Sequence, residues 1–281
     1  MKGQRIISLD IAKAICIILV VIGHCCPADS PSWYKLAVDF IYKFHMPMFM
    51  FASGYIYMAT LDPELGFRNF LIKKFKRIMI PYFTVSIIII GLKLLGKDFL
   101  YVHSPVSLEA FIGMFYYPTA GFFLWFCWAL FIIFIIARPC KDNKILIHLL
   151  TCLSVILYSI PMKLPETFCL SKVQEMLIYF MFGVETVIFK DKIMAIVNTS
   201  AIYAIICLIS IYLYAASKYD NGIINLLAGI AGIYSMCKIG KLVSIRKGKI
   251  FNILISLSSC SYTIYLLHTT FEGTVRAILL K

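Results

Sequence analysis

Charged residues are scarce in this 281-residue chain, and acidic residues are the scarcest. Charged residues make up 15% of the chain, with 14 Asp and Glu against 27 Lys and Arg, whereas 61% of the residues are hydrophobic. A soluble domain is normally about a quarter charged and about half apolar, so this composition excludes one. Runs of about 20 apolar residues recur along the chain, each long enough to cross a hydrocarbon core of roughly 30 Å. The sequence therefore predicts an all-α, polytopic membrane protein.

Further absences exclude other classes of protein. The apolar runs do not alternate with polar residues, which excludes a transmembrane β-barrel. The ten cysteines form no Cys-x-x-Cys pair or Cys/His metal spacing, and most lie in apolar runs as small hydrophobic residues. No small-x-small cleavage site follows Ser8–Gly23, so we expect a retained helix there, not a signal peptide. No linker or repeat divides the chain, which predicts a single transmembrane domain over 1–281.

The apolar runs predict nine membrane spans. They are Ile6–His24, Val38–Thr60, Ile78–Leu95, Gly121–Ala137, Ile145–Ile160, Val173–Phe189, Ile196–Ala215, Gly222–Cys237 and Ile250–Thr270. The stretch Leu108–Tyr117 is too short to span and is expected at the interface. The last eleven residues resemble the start of a further, truncated helix, so the predicted count is nine to ten.

The distribution of Lys and Arg predicts a cytoplasmic N-terminus. With that orientation, 17 of the 27 basic residues lie in inner loops and 6 in outer loops, as the positive-inside rule requires. This bias accounts for the net charge of +13 without a nucleic-acid partner.

The first predicted span carries three ionisable side chains, Asp10, Lys13 and His24. At about 100° per residue, Lys13 and His24 differ by about 20° around the helix, and Asp10 and His24 by about 40°. All three therefore share one face, with Lys13 and His24 roughly 16 Å apart along the axis. Ionisable groups inside a span usually indicate function. The alternative is a local Asp10–Lys13 pair with a snorkelling lysine and a histidine among the outer headgroups.

Two other histidines are predicted in the outer leaflet with His24. His45 lies in "FHMPMFMFASGYIY" and His268 in "SYTIYLLHTTF". Imidazole can accept a proton from a hydroxyl near neutral pH. The alternatives are that His45 is a hydrogen-bonded packing residue and that the three histidines hold a metal. In the first motif, Pro47 is expected to bend the helix, and Ser53-Gly54 to allow close helix packing.

A basic loop and a tryptophan pair complete the candidate residues. In "FRNFLIKKFKRIMIPYF", Lys74 and Arg77 are three residues apart and could bind one polyphosphate; anchoring to anionic lipid is the alternative. In "FFLWFCWALFIIF", Trp125 and Trp128 fit an interfacial belt or a stacking site for a sugar or a cofactor arm. The adjacent Cys25 and Cys26 could supply a thioester nucleophile.

Five of these motifs, in this order, resemble the membrane-bound acyltransferase family 3, bacterial O-acyltransferases that modify surface glycans. The resemblance rests on a basic residue and a histidine separated by ten residues, on "FHMPMFMFASGY", on a basic stretch before a proline, on "WFC" and on "SYTIYLLH". In this sequence they are Lys13 to His24, Phe44–Tyr55, Lys74–Arg77 before Pro81, Trp125–Cys127 and Ser261–His268.

The resemblance implies acyl transfer across the bacterial cytoplasmic membrane. Acetyl-CoA or another acyl-CoA would bind at the inner face, and its acyl group would reach a hydroxyl of a surface polysaccharide or lipid-linked sugar in the outer half. The implied partners are the donor, the acceptor and membrane lipids, with no metal and no nucleic acid. The implied roles are donor binding by Lys73, Lys74, Arg77 and Trp125, catalysis by His24 as base with Lys13 and Asp10, and site shaping by His45, Ser53, Tyr265 and His268.

The chain departs from the family pattern at Lys13 and Lys74, where arginine is commoner, so a bidentate contact becomes a point charge. Two other functions stay open on the sequence. Polar residues on several helices also suit a glycan or small-molecule transporter, although no inverted repeat is recognisable. The second of these functions is that of a noncatalytic membrane partner in glycan assembly.

Overall fold

The structure, a computed structural model, describes residues 6–26, 30–96, 105–160, 162–190 and 222–279. Within these ranges the chain forms helices and no strand, which confirms the all-α class. The predicted span Ile196–Ala215 lies outside the described residues. The helices are α1 Ile7–His24, α2 Ser32–Tyr42, α3 His45–Ala59, α4 Phe67–Gly96, α5 Ala110–Gly113, α6 Trp125–Ala137, α7 Lys144–Ser159, α8 Leu170–Ile188, α9 Gly222–Ile245 and α10 Lys249–Leu279.

Five segments in the described part of the chain are long and apolar enough to cross a membrane. They are α1, α4, the segment Phe122–Cys140 that contains α6, α9, and Lys249–Val275 of α10. Helix α7 is also apolar but shorter, with 16 residues. The chain is therefore a multi-pass membrane protein.

The second predicted span, Val38–Thr60, is not one helix. Helix α2 ends at Tyr42 and α3 begins at His45, with a turn at Lys43 and Phe44 between them. Pro47 lies in the first turn of α3, where a missing N–H leaves no helical hydrogen bond unmade. The expectation of a bend inside a continuous helix was therefore wrong, because the proline lies at a helix start.

Two shorter segments also differ from expectation. Residues 271–279 continue α10 and do not begin a separate helix, since the single glycine there, Gly273, lowers helix stability by only about 1 kcal/mol. In the stretch Leu108–Tyr117, only Ala110–Gly113 are helical.

The chain divides into two compact units. The first contains Met1–Leu61 and Ile178–Tyr265, and the second contains Asp62–Leu177 and Leu266–Lys281. The division falls within α8 and within α10, so each of these helices contributes residues to both units.

In the first unit, α1, α3 and α9 pack against one another, and two glycines of α9 allow close approach. A Cβ atom added at Gly240 of α9 would lie 2.2 Å from the Ser8 carbonyl oxygen of α1, and one at Gly232 would lie 2.2 Å from Cβ of Phe44. At the other end of α9, Asn225 accepts a hydrogen bond of 2.9 Å from Lys43. Since Tyr42 contacts Gly23 near the end of α1, α9 runs antiparallel to α1.

In the second unit, α6 is the central element. It packs against the start of α4, against the π-helical turn Phe75–Met79 within α4, and against the 3-10 turn Thr167–Cys169. Tyr82 of α4 is buried and donates a hydrogen bond of 2.8 Å to the Met114 carbonyl oxygen. We call the two ends of α6 the Trp125 end and the Arg138 end.

Candidate functional site

Asp10 and Lys13 form an ion pair near the start of α1. The Lys13 Nζ lies 2.7 Å from the Asp10 carboxylate, and the two side chains are 18% and 12% exposed. The neighbouring α9 packs against this part of α1 at Ser8 and Ala12. The predicted i,i+3 contact is therefore confirmed, and it holds the Lys13 ammonium at a fixed and largely buried position.

Tyr42 connects two of the predicted histidines. Its ring centroid lies 6.1 Å from that of His24 and 5.2 Å from that of His45. Its hydroxyl donates a hydrogen bond of 3.0 Å to the Gly23 carbonyl oxygen, which ties α2 to the end of α1. The structure thus brings His24 and His45 to one place, and we call these three side chains the His24–Tyr42–His45 cluster.

The protonation of the His45 ring follows from its contact with α2. Its Nδ1 lies 2.8 Å from the Ile41 carbonyl oxygen, and a carbonyl can only accept a hydrogen bond. Nδ1 therefore carries the proton, which leaves the lone pair of the neutral ring on Nε2. The same bond joins the last turn of α2 to the first turn of α3, so His45 fixes the geometry of the break between them.

The ion pair and the histidine cluster lie toward opposite ends of α1. Lys13 and His24 are separated by about 16 Å of helix, and His24 is the last residue of α1. Tyr34 of α2 donates a further hydrogen bond of 2.7 Å to the Ile22 carbonyl oxygen at the same end. One helix therefore carries a cation in its first half and a half-buried imidazole at its last residue.

Two further predicted residues belong to the first unit. Ser53 donates its hydroxyl to the Phe49 carbonyl oxygen one turn earlier in α3, at 2.8 Å. Tyr265 is buried, and its ring stacks on Tyr262 with centroids 6.3 Å apart.

His268, by contrast, lies in the second unit. It is buried, and its ring stands edge-on to Phe123 at a centroid distance of 5.4 Å. Trp125 lies at the same end of α6, where the Lys172 ammonium is 5.6 Å from its ring. Lys172 also pairs with the Glu175 carboxylate at 2.7 Å.

The predicted donor-binding lysines and arginine lie at the opposite, Arg138 end of α6. The Lys74 ammonium is 3.8 Å from the centre of the Phe134 ring and 5.4 Å from that of Phe70. Lys73 and Arg77 are exposed. Arg77 falls within the π-helical turn, a feature found frequently at functional sites. Lys74 is thus held against aromatic rings, while Lys73 and Arg77 face outward.

Sequence reasoning missed two residues, Tyr42 and Arg138. Tyr42 was placed inside a continuous apolar span, although a proline five residues later could have indicated a helix boundary. Arg138 was counted only as an inner-loop charge. It is 2% exposed, and its Nη2 donates to the backbone carbonyls of Asp62 and Leu65. Among the described residues, no group of three or more His, Cys, Asp or Glu is arranged to hold a metal ion.

Comparison with known proteins places the chain in a family. Nodulation protein NolL of Mesorhizobium japonicum is 27% identical over 179 residues, which is 59% of this chain and 44% of that protein. Nodulation protein NolL of Sinorhizobium fredii is 39% identical over 64 residues, 21% of this chain and 18% of that protein. The chain covers less than half the length of either relative, and no solved structure matches. Residues 6–281 match the acyltransferase domain of family 3, and the chain therefore belongs to this acyltransferase family.

Proposed function

We propose that the protein is an O-acyltransferase that moves an acyl group, with acetyl expected, from acyl-CoA to a hydroxyl of a carbohydrate. The acceptor would be a surface polysaccharide or a lipid-linked sugar. Family membership supports acyl transfer. In the described part of the chain, five helices that are long and apolar enough to cross a membrane support a site within the bilayer. The observation that carries the residue assignment is the His24–Tyr42–His45 cluster at the end of α1.

His24 is the proposed general base. Its ring is half-buried and lies beside Tyr42. A neutral imidazole there takes the proton of the acceptor hydroxyl as the oxygen attacks the thioester carbon. The C–S bond then breaks, and the imidazolium returns the proton to the departing thiolate. His45, held in place by its bond to Ile41, would lie beside the acceptor and shape the site around it.

Lys13 and Asp10 are proposed to act on the donor. Because the ion pair fixes the Lys13 ammonium about 16 Å from His24 along α1, the ammonium can bind a polar group of an extended acyl-CoA arm whose thioester reaches His24. Asp10 is a positioning residue that acts through Lys13.

The proposed orientation has the N-terminus in the cytoplasm, with nine to ten spans in a bacterial cytoplasmic membrane. The donor would then bind from the cytoplasm, with its phosphates on Lys73, Lys74 and Arg77. Trp125, at the other end of α6, would stack on the donor arm. The orientation rests on the excess of basic residues in the inner loops.

The test is glycan acetylation in membranes that receive isotope-labelled acetyl-CoA. Membranes with the protein should label surface carbohydrate, and His24→Ala should abolish labelling at unchanged protein level. His148→Ala, the same substitution in α7, serves as the matched control and should leave labelling intact. Labelling that is unchanged both by the presence of the protein and by His24→Ala would refute the proposal.

A further inference from the structure

A cleft opens at the Arg138 end of α6 in the second unit. It has a volume of about 390 Å³ and lies between the loop that precedes α4 and the turn that follows α6. We call it the Arg138 cleft, and its lining residues are Pro63, Leu65, Gly66, Phe67, Arg138, Pro139 and Lys141. The cleft is not lined by any of the residues proposed to bind the donor, which are Lys73, Lys74, Arg77 and Trp125.

Arg138 provides a buried positive charge in the wall of the cleft. The side chain is 2% exposed, and its guanidinium carbon lies 4.6 Å from the centre of the Phe70 ring. Its Nη2 donates to the carbonyl oxygens of Asp62 and Leu65, at 3.0 Å for Asp62. Its Nε is buried with no hydrogen-bond partner among the residues that the structure describes. Arg138 therefore binds the loop through Nη2 and keeps one buried N–H group without a partner in the described part of the chain.

The start of α4 provides backbone donors to the same cleft. Helix α4 begins at Phe67, and its N-cap residue, Gly66, has no side chain to accept from the first N–H groups. Such N–H groups, together with the partial positive charge of a helix N-terminus, bind phosphate and other anions. Gly66, Phe67 and Arg138 all line the cleft, so the start of α4 and the arginine lie in one wall.

The two charged residues that line the cleft, Arg138 and Lys141, are both cations. The Lys141 ammonium donates to the Pro63 carbonyl oxygen at 3.0 Å and pairs with the Asp142 carboxylate. The exposed Asp62 carboxylate accepts the Glu64 backbone N–H at 3.2 Å. Lys74 shares the Phe70 ring with Arg138 and adds a cation, so Arg138 and the N-terminus of α4 are not neutralised by a carboxylate in the contacts described.

We propose that the Arg138 cleft binds a phosphate group of a phosphate ester. Two molecules at a membrane surface carry such a group: the CoA moiety of the donor, in which case the inference rests on the proposed function, and the headgroup of an anionic phospholipid. Backbone N–H groups and a guanidinium suit phosphate oxygens because both present several donors in fixed directions. A site of this kind holds its ligand independently of the acyl group.

Gly66 offers a substitution that separates anion binding from folding. A Cβ atom added at Gly66 meets no atom within 4 Å, so both Gly66→Asp and Gly66→Ala fit. An aspartate there accepts the N–H groups of the first turn and places a negative charge in the cleft. Gly66→Ala adds the same Cβ without the carboxylate and is the matched control. Arg138→Gln is the direct change, but it also releases the loop at Asp62 and Leu65.

The experiment uses the full chain in lipid nanodiscs and two probes. Binding of CoA is measured by titration in phosphatidylcholine discs. The thermal unfolding midpoint is then compared between phosphatidylcholine discs and discs that also contain phosphatidylglycerol. The midpoint of Gly66→Asp in phosphatidylcholine discs should not fall below that of Gly66→Ala, which shows that the variant folds.

Two outcomes support the inference. A loss of CoA affinity of tenfold or more in Gly66→Asp, with Gly66→Ala unchanged, identifies the donor as the source of the phosphate. Loss of the phosphatidylglycerol-dependent rise in the midpoint, with CoA binding intact, identifies the lipid headgroup. If Gly66→Asp keeps both effects at the level of Gly66→Ala, or if the unsubstituted protein shows neither, the inference is wrong. If the protein still transfers acetyl groups in that case, the proposed function holds and only the role of the Arg138 cleft is refuted.

Discussion

Tyr42 depends on a glycine to reach its position between the two histidines. A Cβ atom added at Gly23 would lie 2.7 Å from Cε1 of Tyr42, closer than carbon atoms approach without displacement. The ring contacts both His24 and His45, so its displacement changes the relation between them. At the scale of single residues, Gly23 therefore sets the geometry of the histidine cluster.

Gly23→Ala should lower acyl transfer by about 10–100-fold, because displacement of a positioned group by roughly 1 Å has effects of this size. Tyr42→Phe keeps the ring and removes the hydrogen bond to the Gly23 carbonyl, so it should mainly lower stability, by about 1 kcal/mol. Initial transfer rates and thermal unfolding, measured on both variants, check the prediction. Full activity of Gly23→Ala would show that the cluster geometry is irrelevant to the reaction.

The Asp10–Lys13 pair can be tested by a double-mutant cycle. Asp10→Asn and Lys13→Met should each lower stability by about 1–3 kcal/mol, because each leaves a largely buried polar partner without its charge complement. The double variant should recover part of this loss, since removing both charges avoids the unpaired one. Transfer activity should stay low in the double variant if Lys13 binds the donor. Recovery of activity together with stability would reduce the pair to a structural role.

At this scale, spacing alone predicted the Asp10–Lys13 contact, because residues three apart on a helix are neighbours. It could not predict Tyr42 or Arg138. Each is positioned by a backbone carbonyl on another element, Gly23 for Tyr42 and Leu65 for Arg138. Such contacts depend on how helices meet, which the linear pattern does not contain.

At the scale of elements, α3 and α8 pack backbone against backbone within the first unit. A Cβ atom added at Gly54 would lie 1.9 Å from the Phe180 carbonyl oxygen, and one at Gly183 would lie 2.1 Å from the Phe51 carbonyl oxygen. The earlier residue of α3, Phe51, lies beside the later residue of α8, Gly183, whereas Gly54 lies beside Phe180. The two helices are therefore antiparallel. Small residues at such positions allow helices in a membrane to approach closely.

Gly54→Ala and Gly183→Ala should each lower the free energy of unfolding by about 3 kcal/mol or more, because backbone atoms cannot move aside as a flexible side chain can. Gly91→Ala is the control, since a Cβ atom there meets nothing within 4 Å and alanine favours a helix by about 1 kcal/mol. Unfolding in detergent, followed by circular dichroism, measures all three. Equal stability of the three variants would contradict the packing of α3 on α8.

The close packing at Gly54 was expected from the Ser53-Gly54 pair, and the structure confirms it. The break between α2 and α3 was not expected, because apolar residues on both sides of Lys43 read as one span. Hydropathy reports how apolar a segment is, whereas the helix boundary depends on Pro47 and on the His45 bond to Ile41.

At the scale of the whole molecule, the proposed orientation predicts which cysteines are reached from each side of the membrane. In single-cysteine variants, a membrane-impermeant maleimide added to intact cells should label the exposed Cys25, which follows α1. Cys140, at the Arg138 end of α6, should be labelled only after permeabilisation. The opposite pattern would reverse the orientation.

Cys169 provides a control for reactivity in the same experiment. Burial raises the pKa of its thiol to about 12, the Glu166 carboxylate acts in the same direction and Lys172 opposes it. A raised pKa keeps the group as the neutral thiol at pH 7–9, and the thiolate is the reactive form. Cys169 should therefore stay unlabelled over this range until the protein is denatured. Labelling of native Cys169 at pH 7 would show that its turn opens.

The family and the all-α class could be predicted at this scale because both depend on motifs and composition that the chain carries in order. The composition of each compact unit could not, since each unit joins segments far apart in sequence, such as Met1–Leu61 with Ile178–Tyr265. His24 and His45 share the first unit. Their predicted position in one leaflet was compatible with this but did not require it.

The most direct test of the account is the rate of acetyl transfer from labelled acetyl-CoA to carbohydrate by the purified protein in nanodiscs, with and without His24→Ala. A general base contributes about 10²–10⁴-fold, so the variant should lose at least about a hundredfold in rate while its unfolding midpoint and expression stay unchanged. His148→Ala should transfer at the unsubstituted rate. Transfer by a well-folded His24→Ala protein at the unsubstituted rate would contradict the central claim that His24 carries out the proton transfer.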